Sequence, residues 1–180
     1  QKQSDYRSVF ITLEAGDITS NQLNAMANLI REFSSEGIAR SGFVQNVALR
    51  YVHEDDLISL YSKLLQSGLA KSGALTMTTP IGCSGTTSCN LALTNSHRLA
   101  KEIQRKFLEL HLDEDDDLTD SSIKISGCPN SCGQHGIATI GFFGGGGRLG
   151  KDMYANYQMS LGGRFDGETM LGQTCLRVPA

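Results

Sequence analysis

The stretch ISGCPNSCGQHG, from Ile125 to Gly136, places two cysteines in one glycine-bounded turn. A disulfide between Cys128 and Cys132 is disfavoured, because neighbouring thiols in a tight turn rarely reach the geometry that this bond requires. Pro129 stiffens the turn, since its ring fixes the backbone angle φ. The stretch therefore predicts a metal or cluster site, provided that cysteines elsewhere supply the remaining ligands.

Two further cysteines supply such ligands. The chain has five cysteines, and four of them form two close pairs, Cys83 with Cys89 and Cys128 with Cys132. We call residues 82–89 the first arm and residues 127–133 the second arm. Their spacings are C-x5-C and C-x3-C, and the wider gap fits poorly with zinc sites, which mostly use gaps of two to four residues.

A cubane 4Fe–4S cluster needs four thiolates on loops that bend sharply. Glycines stand beside the cysteines of both arms: Gly82, Gly85, Gly127 and Gly133. We therefore predict a 4Fe–4S site with Cys83, Cys89, Cys128 and Cys132 as ligands, and we expect the two arms to lie side by side. A structural zinc domain and four inert, buried cysteines are the alternatives.

The composition is that of a globular protein. The 180 residues carry a formal net charge of -3, from 16 basic and 19 acidic residues, which gives no support for a nucleic-acid partner. No apolar run approaches the ~20 residues of a membrane-spanning helix, so no membrane partner is predicted. An odd number of cysteines without a signal-peptide pattern indicates a reducing, cytoplasmic location. Because the chain runs from Gln1 to Ala180 without an initial methionine, it reads as a piece of a longer polypeptide.

The first part of the chain predicts a compact α+β unit. Residues 6–13 and 47–52 are rich in β-forming side chains and predict two strands. Thr19 and Gln22 predict a capping box before a helix whose apolar face is Leu23, Met26, Ala27, Ile30 and Phe33. A second helix follows with a predicted buried stripe of Leu57, Leu60, Tyr61 and Leu64. This order predicts a ferredoxin-like half-domain over residues 1–70, since crossover helices return strands to one sheet.

Residues 71–180 predict a second, mixed α/β domain. A helix is predicted from about residue 90 to residue 111, with an apolar face of Leu99, Ile103, Phe107 and Leu110. Three strands are predicted at residues 123–126, 137–143 and 154–161. The acidic run DEDDD (113–117) predicts a solvated loop, with a cation site as the alternative. The run GGGG (144–147) predicts a flexible hairpin connection, because the lysine and helix start of a phosphate loop are missing.

At these motifs the chain resembles the nitrite and sulfite reductase family, whose haem is sirohaem. The C-x5-C arm followed by a C-x3-C arm is the family's signature, and GCPNSCGQHG (127–136) matches its second arm closely. The resemblance extends through residues 6–37, the helix after Cys89 and the tail YQMSLGGRFDG (157–167). Family chains have two pseudo-repeated halves, and this chain is similar to the C-terminal one. The resemblance implies an α+β fold, with a ferredoxin-like half-domain (1–70) before a 4Fe–4S and sirohaem domain (71–180).

The resemblance also implies cofactors and a reaction. The four thiolates would hold a 4Fe–4S cluster, and Cys132 would also bridge to the iron of sirohaem as its proximal ligand. The reaction would be the six-electron reduction of nitrite to ammonia or of sulfite to sulfide. The implied partners are the small anion, an electron donor such as ferredoxin or a flavoprotein, and the N-terminal half of the same parent chain. The family's substrate-holding cations come mainly from that half, so we expect this fragment alone to be inactive and leave its catalytic residues unassigned.

Four other residues have two possible roles or none. Asn130 either touches the edge of the tetrapyrrole or cluster, or makes a turn. Arg40 matches the arginine of the family pattern Arg-x-Thr-x-x-Gln-Asn, which can face the macrocycle's carboxylates, but Gly42 replaces the threonine and a surface arginine is the alternative. His135 is either structural or a proton relay. Cys175 matches no ligand position and is predicted to be small and buried.

The sequence thus supports an oxidoreductase, with two other classes left open. One is an iron–sulfur electron-transfer or redox-sensing module without haem. The other is a structural zinc domain, which metal analysis would separate from both iron-containing classes.

Overall fold

A computed structural model describes residues 3–112, 115–118 and 120–180. The chain divides into two compact units, residues 1–74 and residues 75–180. The sequence predicted a domain boundary between residues 70 and 71. Within the described ranges, no helix has the length and apolarity needed to cross a bilayer. Asp113 and Glu114 of the predicted acidic loop lie outside the described residues, and Asp116–Leu118 forms a 3-10 turn.

The first unit is a three-stranded antiparallel sheet with two helices. Its elements are β1 (Tyr6–Ile11), α1 (Ser20–Phe33), β2 (Ala39–Ser41), β3 (Val47–His53), a 3-10 turn (Glu54–Asp56) and α2 (Leu57–Gln66). The strand order is β1-β3-β2, and β3 is antiparallel to both neighbours. Helix α1 is therefore a crossover between the parallel strands β1 and β2, which gives the ferredoxin-like half-domain. Strand β2 was not predicted, because its three residues ARS show no apolar alternation.

The capping box of α1 forms as predicted. The backbone N–H of Gln22 donates to Thr19 Oγ1 at 3.2 Å, and the N–H of Thr19 donates to Gln22 Oε1 at 3.1 Å. The core of this unit consists of apolar side chains from both helices and the sheet: Ile11, Met26, Leu29, Phe33, Leu49, Val52, Leu60, Leu64 and Leu69. Leu23 and Tyr61 were predicted to be buried but are 51% and 58% exposed. Leu23 lies in the first turn of its helix, and Tyr61 lies about 100° around the helix from the buried Leu60.

The second unit is built on a five-stranded mixed sheet. Its elements are β4 (Ile81–Gly82), a 3-10 turn (Gly85–Thr87), α3 (Ser96–Glu109), β5 (Ile123–Ser126), a 3-10 turn (His135–Ile137), β6 (Ile140–Leu149), β7 (Asp152–Leu161), β8 (Arg164–Phe165), β9 (Thr169–Met170) and β10 (Gln173–Pro179). The strand order is β10-β7-β6-β5-β4. Strands β4, β5 and β6 are parallel, while β7 is antiparallel to β6 and β10. Strands β8 and β9 form a separate ribbon.

The glycine run is part of a strand, so the prediction of a hairpin connection there was wrong. Gly144–Gly147 lie within β6 and pair with residues 154–157 of β7. The chain turns instead at Gly150, whose φ is +64°. A Cβ atom on Gly144 would lie 2.2 Å from the carbonyl oxygen of Gly127. Glycine is needed here because a neighbouring backbone approaches closely.

Helix α3 is shorter than predicted and buries a different face. Its N-cap is Asn95, whose Oδ1 accepts a hydrogen bond from the N–H of Arg98 at 3.0 Å. The buried side chains are Ser96, Ala100 and Gln104, whereas the predicted apolar face (Leu99, Ile103, Phe107 and Leu110) is partly or fully exposed. A Cβ atom on Gly82 would lie 3.0 Å from Ala100 Cβ. Two of the three buried side chains, Ser96 and Ala100, are therefore small, because this part of the helix runs so close to the first arm.

Candidate cluster-binding site

Both cysteine arms start at the carboxyl-terminal ends of two neighbouring parallel strands in the second unit's sheet. Strands β4 and β5 pair in parallel, with Gly82 opposite Ile125. Cys83 follows β4 directly, and the second arm follows β5 directly. Because the carboxyl ends of parallel strands meet at one edge, the two arms lie side by side, as the sequence predicted.

Hydrogen bonds join the two arms around Cys83 and Gly127. The N–H of Cys83 donates to the carbonyl oxygen of Ile125 at 3.0 Å, which extends the strand pairing by one residue. The N–H of Gly127 donates to Cys83 Sγ at 3.1 Å. The carbonyl oxygen of Gly127 accepts from the N–H groups of Leu93 and Thr94, at 2.7 and 3.1 Å. The N–H of Gly127 thus joins the two arms, and its carbonyl oxygen ties the second arm to the segment between the first arm and α3.

The glycines beside the cysteines permit this close approach. A Cβ atom on Gly127 would lie 2.9 Å from Gly85 Cα, and one on Gly133 would lie 2.1 Å from the carbonyl oxygen of Ile125. Gly85 also has a φ of +54°, a conformation that favours glycine. The sequence predicted these glycines as bends; the structure adds that neighbouring backbone leaves no room for a side chain.

Strand β5 and the residues after the second arm close that arm at its base. Ser126 Oγ accepts a hydrogen bond from the N–H of Gly133 at 3.1 Å and lies 2.9 Å from His135 Nδ1. Lys124 Nζ donates to Gln134 Oε1 at 2.8 Å. Ser126 is 1% exposed and Lys124 is 8% exposed. We call these five residues the clasp, and they hold the two ends of the second arm together.

The four predicted ligands differ in exposure. Cys83 and Cys89 are half-buried, Cys128 is buried and Cys132 is exposed. Within the ranges that the structure describes, no three His, Cys, Asp or Glu side chains come close enough to surround one metal ion. A single zinc ion needs its ligands ~2.0–2.3 Å from one centre. A cubane cluster is a larger body that gives each thiolate its own iron, so ligation by these four cysteines stays a prediction.

His135 makes contacts typical of a structural histidine. Its ring stacks on Phe143, with centroids 4.6 Å apart and an interplanar angle of 24°. Its Nδ1 is bonded to the hydroxyl of Ser126. Burial lowers the pKa of His135, which keeps the imidazole neutral. These contacts favour the structural role over the proton relay.

Two of the predicted cofactor contacts lie at the protein surface. Asn130 is exposed in the second arm, between Cys128 and Cys132. Arg40 lies on β2 of the first unit and forms an ion pair with Glu36. Their contacts with a tetrapyrrole remain predictions.

Cys175 is exposed, so the prediction that it is buried was wrong. It lies on β10, an edge strand, where the register with β7 shifts between Thr174 and Leu176. Its Sγ lies 3.4 Å from the carbonyl oxygen of Met159. A side chain on an edge strand has sheet on one flank only, which explains its exposure.

Sequence reasoning missed several polar residues around the first arm and the clasp. Tyr157, on β7, is 5% exposed. Burial raises the pKa of its hydroxyl, a hydrogen bond with Thr94 lowers it, and negative charge on Cys83 raises it again. Tyr157 therefore lies beside the first arm. It was part of the tail that resembles the family, but nothing local distinguished it from an ordinary strand residue.

The comparisons with known proteins agree with the fold. Residues 1–67 match the family model described as the nitrite/sulfite reductase ferredoxin-like half domain. The NirA protein of Mycobacterium tuberculosis shares the fold, with a TM-score of 0.77 and 24% identity over 96% of this chain and 32% of that one. A dissimilatory sulfite reductase also shares it, with a TM-score of 0.63 and 18% identity over 80% of this chain and 34% of that one.

Curated relatives carry the names of two related reductases. A ferredoxin–nitrite reductase of Synechococcus elongatus is 29% identical over 98% of this chain and 33% of its own length. The sulfite reductase [NADPH] hemoprotein beta-component of Bacillus subtilis is 28% identical over 88% of this chain and 27% of its own length. The chain therefore spans about a third or less of these relatives. Residues 1–67 therefore belong to the ferredoxin-like half domain of the nitrite/sulfite reductase family, and the similarity to these reductases extends over nearly the whole chain.

Proposed function

We propose that this chain is the cofactor-carrying part of a sirohaem-dependent reductase that converts nitrite to ammonia or sulfite to sulfide. The observation that carries the proposal is that the C-x5-C and C-x3-C arms meet at the carboxyl-terminal ends of β4 and β5. A hydrogen bond from the N–H of Gly127 to Cys83 Sγ joins the two arms. Names of the relatives support the reaction class. The chain spans a third or less of their length, which supports a larger working enzyme.

The residues of the two arms fit a 4Fe–4S cluster. Four thiol side chains are the donor set that such clusters use. Glycines remove side chains where the arms approach one another, and backbone N–H groups can then reach the sulfurs. In this proposal Cys83, Cys89, Cys128 and Cys132 hold the cluster, which supplies single-electron steps when bound.

The exposed sulfur of Cys132 is placed to meet a second group. Cys132 is exposed, while Cys128 is buried. Cys132 would also hold the sirohaem, and Asn130 would contact the edge of the same group. Arg40 would face the macrocycle's carboxylates, and its partner Glu36 would then compete with them for the guanidinium.

The proposed partners follow from the same assignment. The small anion is nitrite or sulfite, and the remainder of the polypeptide, its N-terminal half, supplies the cations that hold it. Electrons come from a ferredoxin or a flavoprotein; the relatives' names contain ferredoxin in one case and NADPH in the other. We place the protein in the cytoplasm, where reducing conditions keep unligated thiols free.

Spectroscopy and metal analysis of the complete polypeptide test the proposal. We expect iron and acid-labile sulfide, the strong visible bands of a chlorin-type haem, and reduction of nitrite or sulfite. Each of Cys83→Ala, Cys89→Ala and Cys128→Ala should remove the cluster, whereas Cys175→Ala should leave it in place because Cys175 lies on β10. A cluster without haem bands would indicate an electron-transfer or redox-sensing module, and zinc without iron would contradict both.

A further inference from the structure

Ser96 lies against Cys83 at the start of α3. Its side chain is completely buried, with 0% exposure. Ser96 Oγ lies 3.1 Å from Cys83 Sγ and 2.8 Å from the carbonyl oxygen of Cys83. The hydroxyl therefore has two acceptors within reach on one residue, and it has a single proton to give.

Metal ligation at Cys83 decides whether the Ser96 hydroxyl donates to the sulfur or to the carbonyl oxygen. When Cys83 is a thiol, its S–H can donate to Ser96 Oγ while the Ser96 hydroxyl donates to the Cys83 carbonyl oxygen. A cysteine that ligates metal has lost its proton, so its sulfur only accepts. The N–H of Gly127 already donates to this sulfur at 3.1 Å. The Ser96 hydroxyl is then the second donor within reach.

Two features of the surroundings favour a hydrogen bond from Ser96 to the Cys83 sulfur. A Cβ atom on Gly85 would lie 2.6 Å from Ser96 Oγ, so the absence of a side chain at Gly85 leaves room for the hydroxyl. Ser96 is also the first residue of a helix of 14 residues, where the partial positive charge of the helix end favours a nearby anion. Gly85 thus makes room for the Ser96 hydroxyl, and the helix end adds a favourable field for a ligated thiolate.

We propose that Ser96 is a positioning residue that donates a hydrogen bond to the ligand sulfur of Cys83 and raises the reduction potential of the bound cluster. Donors to a thiolate withdraw negative charge from it and so stabilise the reduced cluster, which carries one more electron. This inference rests on the proposed function, because it requires a cluster on Cys83.

A redox titration of the complete polypeptide with its cofactors tests the inference. The potential of the cluster, followed by electron paramagnetic resonance, should shift to a more negative value in Ser96→Ala. Ser84→Ala is the matched control, since Ser84 is exposed, adjoins Cys83 and makes no capping hydrogen bond. We expect its potential to equal that of the wild type. An unchanged potential in Ser96→Ala would overturn the inference.

A second pair of variants keeps the test valid if Ser96→Ala folds poorly. Ser96→Thr and Ser96→Val add the same volume, but only the threonine keeps the hydroxyl. We expect the Thr variant to bind more iron per chain, or to have the higher cluster potential, than the Val variant. Equal iron content together with equal potential would overturn the inference.

The same measurements separate this inference from the proposed function. Wild-type protein that lacks iron and acid-labile sulfide would contradict the proposed function. Wild-type protein that holds a cluster whose potential does not respond to Ser96 would contradict the inference alone.

Discussion

The two cysteine arms lie side by side but are held in different ways. The second arm is closed by the clasp, which links residues before the arm to residues at its end and just after it. Ser126 is hydrogen-bonded to Gly133 and His135, and Lys124 is hydrogen-bonded to Gln134. The first arm contains a 3-10 turn of its own, but its side chains and backbone are also bound by the start of α3 and by the N–H of Gly127. The second arm is closed by residues that flank it, whereas the first also depends on residues outside it.

The largest effect is expected where a strand backs the second arm. Gly144→Ala would place a Cβ atom 2.2 Å from the carbonyl oxygen of Gly127, so the sheet or the arm must move. We expect a loss of about 3 kcal/mol or more in the free energy of unfolding, measured with urea. Gly146→Ala is the control on the same strand, because its Cβ would lie 3.5 Å from Met153 Cε, an ordinary contact. Equal stability of the two variants would contradict the close approach.

A smaller effect is expected from opening the clasp. Ser126→Ala leaves the N–H of Gly133 and Nδ1 of His135 without their partner in a buried place, at a cost of about 2 kcal/mol. Hydrogen exchange at the Gly133 amide should accelerate. Ser88→Ala, at an exposed position in the first arm, should change stability by less than about 0.5 kcal/mol. Unchanged exchange at Gly133 in Ser126→Ala would show that the second arm does not need the clasp.

Removing the cap of α3 should disturb the first arm alone. Asn95 Oδ1 accepts hydrogen bonds from the N–H of Arg98 at 3.0 Å and from Thr87 Oγ1 at 3.3 Å. Asn95→Ala should cost about 1 kcal/mol and raise hydrogen exchange in the first arm. Thr19→Ala, which uncaps α1 in the other unit, should cost a similar amount without that local change. Equal exchange rates in the first arm of both variants would contradict its dependence on α3.

The smallest effect at neutral pH concerns His135, and it grows on acidification. Burial lowers the pKa of His135 in the folded state, so the unfolded chain binds more protons there as the pH falls below the ordinary imidazole pKa. The free energy of unfolding therefore falls as the pH drops from the ordinary imidazole pKa to the lowered pKa of His135. His135→Gln should be less stable at neutral pH, since it loses the stacking on Phe143, and the difference from wild type should narrow in acid.

Urea titrations across this pH range measure the effect. His111→Gln is the control, because His111 is exposed. We expect its unfolding free energy to follow the wild-type pH dependence. A His135→Gln profile parallel to the wild type would show that burial of this imidazole does not contribute to acid sensitivity.

Features set by neighbouring residues were predicted well from the sequence. The capping box of Thr19 and Gln22 forms as expected, and β5 has the predicted bounds. Each depends on side chains a few positions apart, which a pattern records directly. The meeting of the two arms also followed, because four cysteines that serve one cluster must lie close together.

Features set by distant contacts were not predicted. The sequence pattern favours burial of Leu99 and its apolar neighbours, but α3 turns Ser96 and Ala100 inward because it runs so close to the first arm. The glycine run was assigned to a loop, although it lies within β6, where Gly144 packs closely against Gly127. Ser96 had no local signal at all, since its partner Cys83 lies elsewhere in the sequence. Such roles require the fold to be known.

The hydrogen bond between Gly127 and Cys83 spans 44 positions of the chain, and this has a consequence for biogenesis. Strand β4 is two residues long, so the first arm gains little order before β5 is available to pair with it. A nascent chain that has emerged only as far as the first arm offers Cys83 and Cys89 without the other proposed ligands. The four proposed ligands are therefore available together only after residue 132 has left the ribosome.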